Sequence, residues 1–155
     1  MRKLLLILAF IGFLNADDES SAKLVVDLTT GSVTEFDRNI LQSIAYNKTH
    51  YANSLKELEV AVVIHGEAYR FFVKDLKNTS FKNDKALVKV YKDLKKRVAT
   101  MSDTYEVEFL MCRAALKRHK LKESDIVEFV KIVPNSTIAL IDKQNEGFAY
   151  LPVSK

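Results

Sequence analysis

Five apolar runs, separated by segments of helical periodicity, constrain this chain more than any other feature. They are Lys23–Leu28 (KLVVDL), Glu59–Ile64 (EVAVVI), Tyr105–Met111 (YEVEFLM), Phe129–Val133 (FVKIV) and Phe148–Val153 (FAYLPV). Continuous apolar runs of this length read as strands buried on both faces. The intervening segments read as helices or short helical turns over 34–51, 67–73, 85–101, 113–120 and 136–145. In the first, Phe36, Ile40 and Ile44 recur every four positions. In the third, Leu87, Val90, Tyr91, Leu94, Val98 and Met101 fall at helical spacing. Asn135-Ser136 supplies a cap for the last, and Gly147 ends it. Residues 75–84 are polar and read as a loop. Strand followed by helix, repeated, means a parallel sheet covered on both faces. The sequence predicts one α/β domain over residues 22–155, without a linker or a long repeat.

Residues 1–16 stand outside this pattern. Arg2-Lys3 precede an apolar run from Leu4 to Leu14, and Ala16 precedes the acidic cluster Asp17-Asp18-Glu19. This is the layout of a signal peptide, with cleavage expected after Ala16. Eleven apolar residues are too few for a membrane span, which takes about 20. The expected location is periplasmic or secreted, with no membrane association after cleavage. Arg2 and Lys3 are two of 24 basic residues, against 20 acidic ones, so cleavage lowers the net charge from +4 to +2. That excess does not argue for a nucleic-acid partner. The basic run Lys92–Arg97 (KDLKKR) reads as the solvated face of its helix.

Ligands of open parallel sheets bind beyond the carboxyl ends of the strands. Three residue groups fall there: Thr29-Thr30-Gly31, His65-Gly66 and Cys112-Arg113. The single cysteine excludes an intrachain disulfide, a cysteine-rich zinc site and a Cys-x-x-Cys oxidoreductase motif. The three histidines are too scattered to suggest a metal site, and no phosphate loop or Gly-x-Ser-x-Gly elbow occurs. Cys112 sits where a strand hands over to a helical turn. Amides and the dipole at such a turn stabilise a thiolate, and Arg113 adds positive charge. The bland alternative is a small buried hydrophobe. His65 reads either as a base near Cys112 or as a tie for its turn. Gly66 reads as serving a tight turn or close packing.

Val60–Gly66 (VAVVIHG), Val107–Leu116 (VEFLMCRAAL) and Ile132–Leu151 (IVPNSTIALIDKQNEGFAYL) together resemble the DsrE/DsrF-like family. The resemblance runs through nearly all of the chain after residue 21. It implies a three-layer α/β/α domain with a five-stranded, mainly parallel sheet. It implies a homo-oligomer, a trimer or hexamer. It also implies that Cys112 carries sulfur as a persulfide between donor and acceptor proteins, with His65-Gly66 matching the family's His-Gly after the second strand; Arg113 and Gly31, which also lie at strand ends, complete the candidate site. No cofactor and no metal is implied. Arg113-Ala114 follow the cysteine where many relatives carry a polar pair. The alternative function is a non-catalytic ligand-binding or assembly protein of the same fold.

Overall fold

The computed structural model describes residues 21–154, so the leader expected over 1–16 lies outside the described residues. Five strands form one sheet: β1 (Ser21–Leu28), β2 (Glu57–Ile64), β3 (Glu108–Cys112), β4 (Val130–Val133) and β5 (Ala149–Val153). Their order is β4-β3-β2-β1-β5, and every ladder is parallel. The longest ladder runs from Ser21 opposite Glu57 to Leu28 opposite Ile64. The five strands and the α/β class are those the apolar runs predict.

Alternating residues of the strands feed two cores. Val26, Val60, Val62, Phe109 and Met111 face a large core shared with the helices after β1 and β2. Val25, Ala61, Val63 and Leu110 face a smaller core closed by Ala139 and Phe148. The large face is covered by α1 (Val33–Phe36), a π-helical stretch (Asp37–Gln42), α2 (Ser43–Asn53) and α3 (Lys85–Asp103). The small face is covered by α4 (Ser136–Asn145), which packs across β1, β2 and β3. This gives the three layers.

Four local expectations are corrected. The helix expected over 34–51 widens into a π-helical stretch. Its apolar spacing of four overshoots an α-helical turn by about 40° per step, and a wider turn keeps Phe36, Ile40 and Ile44 on the core side. The helix expected over 67–73 shrinks to a 3-10 turn, Ala68–Phe71. Ala68, Tyr69, Phe71, Phe72 and Val73 are all buried, so only Glu67 and Arg70 remain toward solvent, too few to set an amphipathic period. The helix expected over 113–120 becomes the 3-10 turn Arg113–Ala115 and further tight turns. Its buried residues, Leu116 and His119, lie three apart, and bonds such as His119 amide to Leu116 carbonyl (3.1 Å) follow that spacing. The strand expected from Tyr105 starts only at Glu108, because Glu106 adopts a left-handed φ of 51°.

The loop over 75–84 is tied down rather than loose. Leu76, Thr79 and Phe81 are buried, and Asp84 caps α3 by accepting the Leu87 amide at 3.0 Å.

Candidate functional site

The chain crosses the sheet from β1 to β4 on the large-core face. Leu116, Leu121, Ile126 and Val127 of the β3–β4 connection lie in that core. The next connection, α4, crosses on the opposite face. The chain therefore leaves β3 and β4 in opposite directions. Such a point opens a crevice at the strand ends, where α/β proteins bind their ligands. Cys112 is the last residue of β3 and pairs with Val133, the last of β4. The cysteine thus sits at the switch point of the sheet.

Four nearby groups favour the charged form of its thiol. They are the amides of Ser136, Ala114 and Ala115 and the hydroxyl of Tyr69. Ser136 is the first residue of α4, whose cap Asn135 accepts the Ile138 amide at 2.9 Å. Ala114 and Ala115 belong to the 3-10 turn that starts at the cysteine. Burial alone pushes the thiol up, but these donors outweigh it and hold Cys112 below the usual thiol range. Amides at helix starts are free to do this because they have no intrahelical partner. Cys112 is 5% exposed.

Tyr69 is fully buried, and its hydroxyl donates to the Cys112 carbonyl at 2.5 Å. Its ring stacks on His119 with centroids 4.5 Å apart. Burial first, and then the neighbouring cysteine, raise its pKa far above the ordinary phenol value. Tyr69 therefore stays protonated, with its one hydroxyl hydrogen held by the Cys112 carbonyl beside the thiol.

The other residues expected at the site are placed as follows. The His65 ring, through Nε2, pairs with Asp27 of β1, and Asp27 also accepts the Tyr150 hydroxyl at 2.7 Å. His65 thus belongs to a second polar group at the strand ends, formed by β2, β1 and β5. Arg113 forms an ion pair with Glu123 at 2.7 Å, with both side chains about half exposed. Neither His65 nor Arg113 is among the groups that favour the charged form of Cys112. Gly66 adopts a φ of +60°, and a Cβ there would lie 2.9 Å from the Thr29 carbonyl oxygen. The neighbouring Glu67 amide donates to that same oxygen at 3.0 Å. Gly66 thus closes the β1 and β2 loops against each other. At Gly31 a Cβ would meet Glu67 Cβ at 2.9 Å, so this glycine lets the Glu67–Arg70 turn approach. Among the described residues, no group of three or more His, Cys, Asp or Glu side chains is placed to hold a metal ion.

Tyr69 and Ser136 are functional candidates that the sequence reading passes over. Tyr69 follows His65 by four residues in an apolar segment that reads as core. Ser136 reads as part of a cap. Only the pairing of β3 with β4 brings its amide to the cysteine.

Fold and site define a class: a three-layer α/β domain with a parallel five-stranded sheet and a stabilised thiol at its switch point. The chain belongs to the DsrE/DsrF-like family, whose model matches residues 23–153. It is also similar to an uncharacterized protein of Aquifex aeolicus (strain VF5), at 32% identity over 97 residues. That match covers 63% of this chain but only 41% of the relative's length. A solved structure, of a protein of unknown function from Methanobacterium thermoautotrophicum, shares the fold at a TM-score of 0.58. The alignment covers 84% of this chain and 98% of that one, at 16% identity.

Proposed function

We propose that the protein is a sulfur carrier that uses Cys112 as its persulfide site. The observation that supports this reading is the setting of Cys112 at the end of β3 beside β4, where the Ser136, Ala114 and Ala115 amides hold its thiol below the usual range. That arrangement favours the thiolate, the form that attacks sulfane sulfur. The Cys112 thiolate attacks the outer sulfur of a donor persulfide. A bond forms between Sγ and that sulfur as the donor's S–S bond breaks. The electron pair leaves on the donor thiolate. Cys112 then holds the extra sulfur as a persulfide. In the second half, an acceptor thiolate attacks the outer sulfur and Cys112 leaves as thiolate. No net oxidant is needed, because the sulfur keeps its oxidation level from donor to acceptor. The Ser136 amide favours the Cys112 thiolate at the start of the first half and at the end of the second, when the charge is on Sγ.

Intact-mass measurement after exposure to polysulfide tests the reading. The wild-type protein should gain the mass of one sulfur atom, and Cys112→Ser should gain none. No adduct on wild type, or an adduct that survives Cys112→Ser, overturns it.

A second reading is a non-catalytic assembly subunit with an inert thiol. The low exposure of Cys112 favours it. So does a group of exposed apolar side chains on α4 and β5, Ile138, Ile141, Tyr150 and Leu151, available for homo-oligomer contacts. The rate of thiol labelling of the folded protein at neutral pH separates the two. Fast labelling supports the carrier, and labelling no faster than unfolding supports the assembly subunit.

The leader-like sequence of residues 1–16 supports an exported location as part of this proposal. Amino-terminal sequencing of protein from the exported fraction should begin at Asp17. A chain that retains Met1 in the cytoplasm would refute this part.

A further inference from the structure

Away from the strand ends, a groove of about 510 Å³ lies between α3 and the segment that leads into it. Leu76, Val88 and Tyr91 supply its apolar lining. Val88, in the first turn of α3, is 49% exposed, whereas Leu87, Leu94 and Val98 of the same helix feed the core. The Tyr91 hydroxyl donates to the Val73 carbonyl, so its ring is fixed in the wall rather than free to turn outward.

Five lysines surround this lining: Lys74, Lys77, Lys82, Lys92 and Lys95. They come from three separate stretches of chain, so the cluster is a product of the fold and not of one helix face. The run Lys92–Arg97 does not act as one unit. Lys92 and Lys95 turn to the groove, while Arg97 pairs with Asp37 and lies 3.9 Å from Asp93.

Some cations elsewhere on the described surface are matched by carboxylates, as in Lys23–Glu59, Arg70–Asp84 and Lys143–Glu108, but they do not surround an apolar groove. In the groove, Lys74 pairs with Glu128, and Lys95 donates to the Lys74 carbonyl at 2.8 Å. Lys77, Lys82 and Lys92 have no carboxylate partner among the described residues. The one acid in the lining, Asp75, is occupied by the Lys77 amide at 2.9 Å and by the Asn78 side chain at 2.7 Å.

We infer that this groove docks an acidic segment of a partner protein, with an aliphatic side chain of that segment seated over Val88 and Leu76. Charge complementarity selects the occupant. Uncompensated ammonium groups around a small apolar floor match carboxylates flanking an aliphatic anchor. Nucleic acid fits less well, because the lining offers no arginine and no free aromatic face for a base. A concave groove also fits an extended peptide better than a flat lipid surface. The inference does not depend on the sulfur chemistry of Cys112. The Lys74–Lys77 segment is nevertheless linked to the site, since the Lys74 amide donates to the Asp125 carbonyl at 2.8 Å, close to the Glu123 that holds Arg113.

The test is an NMR titration of the full chain with a synthetic peptide carrying one leucine among aspartates and glutamates. Saturable shifts should appear at the Val88 methyls and at the Lys77 and Lys92 amides. Replacing the leucine with glycine, or using the double variant Lys77→Glu/Lys92→Glu, should each weaken binding about tenfold or more. Both lysines are exposed and unpaired, and Lys82→Glu serves as a second variant should the double variant fail to fold. Absence of a saturable shift at Val88 overturns the inference. So does equal binding of the glycine peptide, which would mean simple counter-ion exchange. Preference for an oligonucleotide or for anionic phospholipid vesicles at the same ionic strength also overturns it.

Discussion

Ser136→Pro should leave the fold intact and cost Cys112 much of its reactivity. Ser136 is the first residue of α4, where proline is tolerated because the amide there has no intrahelical acceptor. The preceding Asn135 is extended, with φ −154° and ψ 165°, a conformation that a following proline accepts. Its cap to the Ile138 amide remains. What disappears is the one amide of α4 that favours the charged form of Cys112. A hydrogen bond to a charged group contributes about 1.5–3 kcal/mol. Thiol labelling at neutral pH should therefore slow about tenfold, and its pH profile should move to higher pH. The direction follows from the chemistry: losing a donor to the thiolate favours the protonated thiol, so more alkali is needed to ionise it. Ser136→Ala keeps the amide and should keep the profile. An unchanged profile in the proline variant would show that the helix start does not stabilise the thiolate.

Phe72→Ala should lower the unfolding free energy by about 3–5 kcal/mol. Phe72 is fully buried. Its ring meets Phe36 of α1 edge-on at 5.8 Å and Phe109 of β3 at 5.2 Å, so it joins the helical layer to the sheet. Its truncation opens a cavity at the centre of the large core rather than at its rim. Domains of this size have about 5–15 kcal/mol in total, so the loss is a large part of the whole. Urea unfolding checks it: the midpoint should fall while the slope is unchanged. Phe72→Leu, which keeps more of the volume, should cost less. A loss below about 1 kcal/mol for the alanine variant would mean that the core closes over the gap.

The two variants probe different parts of what the sequence makes legible. The strands were readable because parallel strands buried on both faces must be apolar almost throughout, as Val60 to Ile64 are. Helix α3 was readable because one face is solvated, so its buried Leu87, Leu94, Val98 and Met101 stand out among lysines. The segments 67–73 and 113–120 depart from the helical expectation for different reasons: an unbroken buried run, Phe71 to Val73, in the first, and buried residues three apart, Leu116 and His119, in the second. Cys112 was singled out because a lone thiol at a strand end is chemically conspicuous. Tyr69 was not, because a tyrosine amid Ala68, Phe71 and Phe72 carries no pattern beyond burial.

The sequence by itself determined the order of strands along the chain, the parallel α/β class and the strand-end position of the one thiol, Cys112, for which the carrier role is proposed. Local spacing and apolar content are enough for these, since each is set by neighbours within one turn or one strand. Only the tertiary structure decided which groups surround that residue. The Ser136 amide and the Tyr69 hydroxyl lie 24 and 43 positions from Cys112, and they reach it through the pairing of β3 with β4 and the burial of the Tyr69 turn. The same ordering turned His65 to Asp27, two strands from the cysteine, and gathered five lysines from three stretches around Val88. Hydrogen bonds and charges act over a few ångströms of space, and distance along the chain does not record that space.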